Sequence, residues 1–189
     1  MHIMRDPQIA CICPCFICDH TKEFVNFLQL SKEKEAFSKT EKLSIIHKLD
    51  FNRAFEQMLL FDALIGNTDR HERNFGIIRD IDTLEIIKPA PLFDSGNSLV
   101  AAISLNNMNN TQSIKDAIKR ISYKPFNISL MQQINLCSEK IFIPDGANLA
   151  NLLMEVYEEF KISETEYEIS KEILRLNIKA LNDANKIMF

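Results

Sequence analysis

Hydrophobic and polar positions fall into a helical rhythm most plainly between residues 49 and 64. Phe51, Ala54, Phe55, Met58, Leu59 and Asp62 follow the i, i+3, i+4, i+7 spacing of one helix face, which predicts a helix over 49–64. Its second half, Met58-Leu59-Leu60-Phe61 and then Ala63-Leu64-Ile65, is apolar on every side, so that end is expected deep in the domain. Asp62 stands inside this run. A carboxylate there needs a partner, and it is expected to brace the turn at 69–71. Because the helix ends at Gly66, the following loop springs from a rigid, buried base, a good mount for a catalytic group.

Ahead of this helix, residues 9–13 read as a strand and 24–30 as a short apolar piece, with Pro14 breaking the chain between them. Residues 31–42 read as a charged loop or exposed helix, with Lys34, Glu35, Glu41 and Lys42 as solvated surface charge. After the loop, residues 75–79 and 84–88 read as two strands of a hairpin around Asp80-Ile81-Asp82-Thr83. Pro89 and Pro91 end the second strand. Residues 106–112, polar around Met108, read as a flexible loop. The remainder is expected to be helical, over 113–121, 128–136, 147–160 and 164–183. Ser163 and Glu166 form a capping box for the last of these, and Ile169, Ile173, Leu176 and Ala180 give it a packing stripe.

Chemistry is concentrated in two segments. Ile65-Gly66-Asn67-Thr68-Asp69-Arg70-His71-Glu72-Arg73-Asn74-Phe75-Gly76 is answered beyond the hairpin by Pro91-Leu92-Phe93-Asp94-Ser95-Gly96. Three of the chain's 4 glycines, Gly66, Gly76 and Gly96, fall there, where sharp turns or close backbone approach are expected. Asp69, Asn74 and Asp94 are oxygen side chains of the kind that hold a hard cation such as Mg²⁺. Phosphoryl transfer needs a carboxylate to orient the attacking hydroxyl, an amide or carboxylate on one metal, and a second carboxylate bridging metal to phosphates. Asp69 and Asn74 have the kinase spacing Asp-x₄-Asn, and Asp94-x-Gly96 stands where the third group belongs. The competing reading is a pair of Asn/Asp-Gly turns with no further role.

Composition narrows the partners. With 46% hydrophobic and 25% charged residues over 189 positions, the chain is long enough for one domain with a real core. A net charge of -4 leaves no basic excess for nucleic acid. No apolar run is long enough to span a bilayer and the N-terminus has no signal-peptide pattern, so the expected location is cytoplasmic. Five cysteines, an odd count, suit a reducing compartment. Cys11, Cys13, Cys15 and Cys18 lie near His20, but their spacing is not that of paired zinc ligands. They are read as a buried strand using cysteine as a small hydrophobe, with zinc as the alternative.

The wording of the two segments resembles the HipA-like Ser/Thr kinase family. The resemblance rests on Leu64-Ile65-Gly66-Asn67-Thr68-Asp69-Arg70-His71 with Asn74-Phe75-Gly76, on Ala90-Pro91-Leu92-Phe93-Asp94-Ser95-Gly96-Asn97-Ser98-Leu99, and weakly on Lys124-Pro125-Phe126. It implies an α+β, mostly helical fold: the C-terminal lobe of a protein-kinase-like architecture over 31–189, with 1–30 a hinge-like strand and linker. It further implies Asp69 as catalytic base, Asn74 and Asp94 as metal ligands, and His71 and Phe93 against the nucleotide. His71 could equally be a histidine bracing the loop, while Arg70 and Arg73 are read as loop-bracing or solvated charges. The implied activity is transfer from Mg²⁺-ATP to a protein hydroxyl. Kinases cover the phosphates with a glycine-rich loop and pair them with a strand lysine. No glycine precedes Gly66 and no lysine precedes Lys22, so the N-lobe is expected to come from a separate chain or upstream segment. A HipB-like antitoxin is a further implied partner, and an inactive remnant acting as a binding or regulatory module is the alternative function.

Overall fold

The computed structural model describes residues 15–17, 20–31, 38–102, 110–143, 146–159 and 162–188. The expected strand at 9–13, Cys11, Cys13, Cys18, Lys34, Glu35 and residues 106–109 of the expected 106–112 loop lie outside the described residues; the end of that stretch is not loop, since Asn110 caps a helix that begins at Thr111.

Strand β1 (Lys22–Asn26) runs into helix α1 (Phe27–Leu30), and α2 (Lys39–Lys48) precedes α3 (Asn52–Ile65). The hairpin of β2 (Gly76–Asp80) and β3 (Ile86–Pro89) forms as its alternation predicts. The turn is held by the Asp80 carboxylate, which accepts from the backbone N–H groups of Asp82 and Thr83. A short 3₁₀ turn (Leu99–Ala102) leads toward α4 (Thr111–Arg120), α5 (Leu130–Leu136), β4 (Ile141–Phe142), α6 (Gly146–Glu159), α7 (Glu164–Asp183) and β5 (Ile187–Met188). The fold is mixed α and β, about half helical rather than mostly so, with one small antiparallel sheet in the order β1-β2-β3.

Helix α3 is the axis of the core. Met58, Leu59, Leu60, Ala63 and Leu64 are buried and pack toward α5 and α7. The stripe on α7 is packing surface as expected, though the fully buried line runs through Ile169, Ile173, Leu174 and Leu181 instead of Leu176 and Ala180. Its capping box is present: Ser163 accepts from the Glu166 N–H and the Glu166 carboxylate accepts from the Ser163 N–H.

The sheet is joined to this core by aromatic contacts. Phe27 stacks on Phe75 at 5.0 Å between ring centres, and Phe55 packs on both Phe75 and Phe126. Strand β1 pairs with β2 along its whole length, from Lys22 opposite Asp80 to Asn26 opposite Gly76. Gly76 is required there, since a Cβ would stand 2.1 Å from the Val25 carbonyl oxygen.

Three sequence expectations are corrected. Lys42 is not surface charge: α2 places it in the interior, where its ammonium donates to the Pro125 carbonyl at 2.6 Å and pairs with Glu72 at 2.5 Å. Cys15 is exposed and outside any strand, so the reading of a buried cysteine strand does not hold at that position. The C-terminal remainder is not purely helical, because β4 and β5 pair in parallel over two residues each. Among the described residues no helix is long and apolar enough to cross a membrane.

Candidate active site

The site begins at the end of α3. Gly66 takes a left-handed φ of 66° and caps the helix by donating its N–H to the Asp62 carbonyl. The Asn67 N–H reaches the same carbonyl at 2.8 Å, and the Asn67 side chain donates to Asp62 Oδ1 at 2.9 Å. Asp62 is fully buried, as the apolar run around it required.

Its principal partner is Arg70, also fully buried. Arg70 Nε donates to Asp62 Oδ2 at 2.8 Å and Nη2 to Oδ1 at 2.8 Å, a bidentate pair. Nη1 donates to the carbonyls of Asn74 at 3.2 Å and Phe93 at 2.5 Å, and Nη2 donates to Ser95 Oγ at 3.1 Å. All of the guanidinium's donors are thus engaged. Of the two readings open for this arginine, bracing is the one realised, while Arg73 is exposed.

The consequence is geometric. One side chain, seated on the carboxylate of α3, holds the backbone of Asn74 and both neighbours of Asp94. A second seam lies beside it: the Thr68 N–H donates to the Asn97 carbonyl at 3.2 Å, and Asn97 Nδ2 donates to Thr68 Oγ1 at 2.7 Å. The 67–76 and 91–98 segments, separated in sequence by the hairpin, are therefore stitched together in space.

Within this frame Asp69 is half-exposed, and its carboxylate accepts from Lys124 Nζ at 2.6 Å. Asn74 is buried, its amide nitrogen directed at the Asp69 carbonyl at 3.4 Å, and its Oδ1 has no donor among the described residues. Asp94 is exposed at a left-handed φ of 53°, a conformation Asp tolerates better than most residues. Its carboxylate has no partner among the described residues.

His71 is half-buried and accepts at Nδ1 from the Arg73 N–H at 3.3 Å, the bracing contact weighed as its alternative. Phe93 is also half-buried, stacked on Phe16 at 5.7 Å and edge-on to Phe24 at 5.5 Å. Gly96 answers no backbone need: its φ is not left-handed and nothing lies within 4 Å of where a Cβ would stand.

A hard cation fits the donor chemistry. Asn74 Oδ1 and the Asp94 carboxylate are uncommitted oxygens, and Mg²⁺ is ordinarily held by one or two such groups together with phosphates and water. No group of three His, Cys, Asp or Glu side chains is placed to bind a metal among the described residues.

A solved structure shares this architecture: the Helicobacter pylori proinflammatory kinase CtkA, at a TM-score of 0.62 and 19% identity, over 90% of this chain and 74% of that one. The fold is kinase-like. At that identity the likeness speaks for the fold alone. No family model and no curated protein matches the chain, so the finer HipA-like resemblance rests on the wording of the two stitched segments. In the kinase-like fold described here, sequence reasoning missed Lys124 as a neighbour of Asp69 and missed the Thr68–Asn97 seam. The expectation that Asp62 braces the 69–71 turn is met by Arg70, eight positions further along the chain.

Proposed function

We propose that the chain is the HipA-like C-terminal lobe of a protein Ser/Thr kinase, transferring a phosphoryl group from ATP to a protein hydroxyl. What carries this reading is the buried Arg70, whose donors bind Asp62, Asn74, Phe93 and Ser95 together and so draw the Asp69/Asn74 loop to the Asp94 loop. Asp69 orients the substrate hydroxyl and accepts its proton. The hydroxyl oxygen forms the new bond to the γ-phosphorus as the bond to the bridging oxygen breaks, and ADP leaves with that electron pair. Asn74 and Asp94 would hold Mg²⁺, which when bound neutralises charge on the phosphate oxygens. The sequence has no glycine ahead of Gly66, so a glycine-rich phosphate loop of the usual kinase type is not among these residues.

The test is a melting curve of the purified chain with and without Mg²⁺-ATP. Nucleotide at a hundredfold over Kd adds about 2.7 kcal/mol, or about 5–11 °C at roughly 2–4 °C per kcal/mol. Asp94→Ala should abolish the shift. A wild-type curve that Mg²⁺-ATP leaves unmoved overturns the proposal. That outcome favours the second reading, a non-enzymatic module that binds and regulates a kinase or an antitoxin.

A further inference from the structure

Residues 123–128 form a closed turn outside the two motif segments. The Tyr123 N–H donates to the Ile128 carbonyl at 2.8 Å and the Ile128 N–H returns to Tyr123 at 3.2 Å. The turn is anchored on three sides. Tyr123 is buried, the Pro125 carbonyl accepts from Lys42 of α2, and Phe126 packs edge-on against Phe55 of α3. Lys42 also pairs with Glu72, so the turn is tied through one ammonium to the Asp69 loop.

Lys124 stands at the lip of this scaffold. Its N–H donates to the Thr68 carbonyl at 3.3 Å and its ammonium lies 2.6 Å from Asp69 Oδ1. Phosphoryl transfer spreads negative charge over oxygens that must lie beside Asp69, and a cation is needed there. Arg70 cannot serve, because every one of its N–H groups is already used. Lys124 can, since an ammonium has three donors and Asp69 takes one. The pair is 44% and 43% exposed, a setting in which ion pairs are weakly held, so a phosphate oxygen can share or replace the carboxylate.

We propose that Lys124 contacts the terminal phosphate of the bound nucleotide, reading ATP from ADP and holding the transferring group over Asp69. This rests on the kinase reading above.

The experiment measures binding of Mg²⁺-AMP-PNP, a non-hydrolysable ATP analogue, and of Mg²⁺-ADP to the wild-type chain, Lys124→Met and Lys124→Gln. Melting curves without nucleotide establish that the variants fold. The wild type should prefer the triphosphate analogue. Either substitution should weaken that analogue about tenfold, equivalent to ~1.4 kcal/mol, while leaving Mg²⁺-ADP within about twofold. Lys124→Arg should keep much of the preference, because the charge remains. An unchanged preference in both variants overturns the role of Lys124 and leaves the kinase reading standing, as does an equal loss for both nucleotides, which is what a merely structural lysine would produce. A wild type that binds neither nucleotide overturns the kinase reading and the Lys124 role with it.

Discussion

Replacing Arg70 by Met is the sharpest test of how this site is built. The side chain and its partner Asp62 are both wholly buried, so the change leaves a carboxylate in the core with Asn67 as its remaining side-chain donor. It also strips one hydrogen bond each from the Asn74 carbonyl, the Phe93 carbonyl and Ser95 Oγ. Removing one member of a buried ion pair costs about 3–5 kcal/mol, mostly from the charge left behind. For a chain of this size that is a fall in Tm of about 6–20 °C.

The double change Asp62→Leu with Arg70→Met removes both charges and should be less destabilising than the sum of the two singles, by about 0.5–3 kcal/mol. Urea unfolding of the four proteins supplies the cycle, with the midpoint and slope read separately. An Arg70→Met protein within about 1 kcal/mol of wild type would show that this pair behaves like a surface ion pair. Strict additivity would refute the reasoning that the two charges act as one buried pair.

Two further outcomes follow from the same geometry. Gly76→Ala sets a methyl 2.1 Å from the Val25 carbonyl oxygen, against backbone that cannot rotate away. The β1–β2 pairing should loosen at a cost of at least about 1–3 kcal/mol, measured by chemical denaturation, whereas Gly96→Ala, with open space around it, should be close to neutral. At high pH, burial holds the Tyr123 phenol up to about 12 from 10.0. Burial, reinforced by the nearby Glu56 and partly offset by Lys186, holds the Cys137 thiol up to about 12 from 9.0. Both groups release their protons in the unfolded chain first, so the stability present below pH 9 should fall progressively as pH rises toward 12. In Tyr123→Phe with Cys137→Ala the fall should be shallower than in wild type, and identical slopes would refute the assignment.

Elements whose cause is local were legible in the sequence. The periodicity over 49–64 produced α3, the capping box placed the start of α7, and alternation around Asp80 to Thr83 produced the hairpin, because each depends on residues a few positions apart. The need of Asp62 for a partner was legible too, since a charge in an apolar run states its own problem. That it would brace the 69–71 turn was legible as well, but how far the bracing side chain reaches was decided only by folding. The guanidinium of Arg70 gathers groups up to 25 positions away, and Lys124 reaches Asp69 across 55. Contacts of that span leave no periodic trace in the sequence, so nothing local distinguished Lys124 from a solvated charge or Lys42 from its exposed neighbours on α2. The pairing of β4 with β5 was hidden for a related reason: two residues are too few to alternate. The sequence determined which oxygens were available for chemistry, and the buried ion pair beneath them, a tertiary feature, decided that their two loops meet.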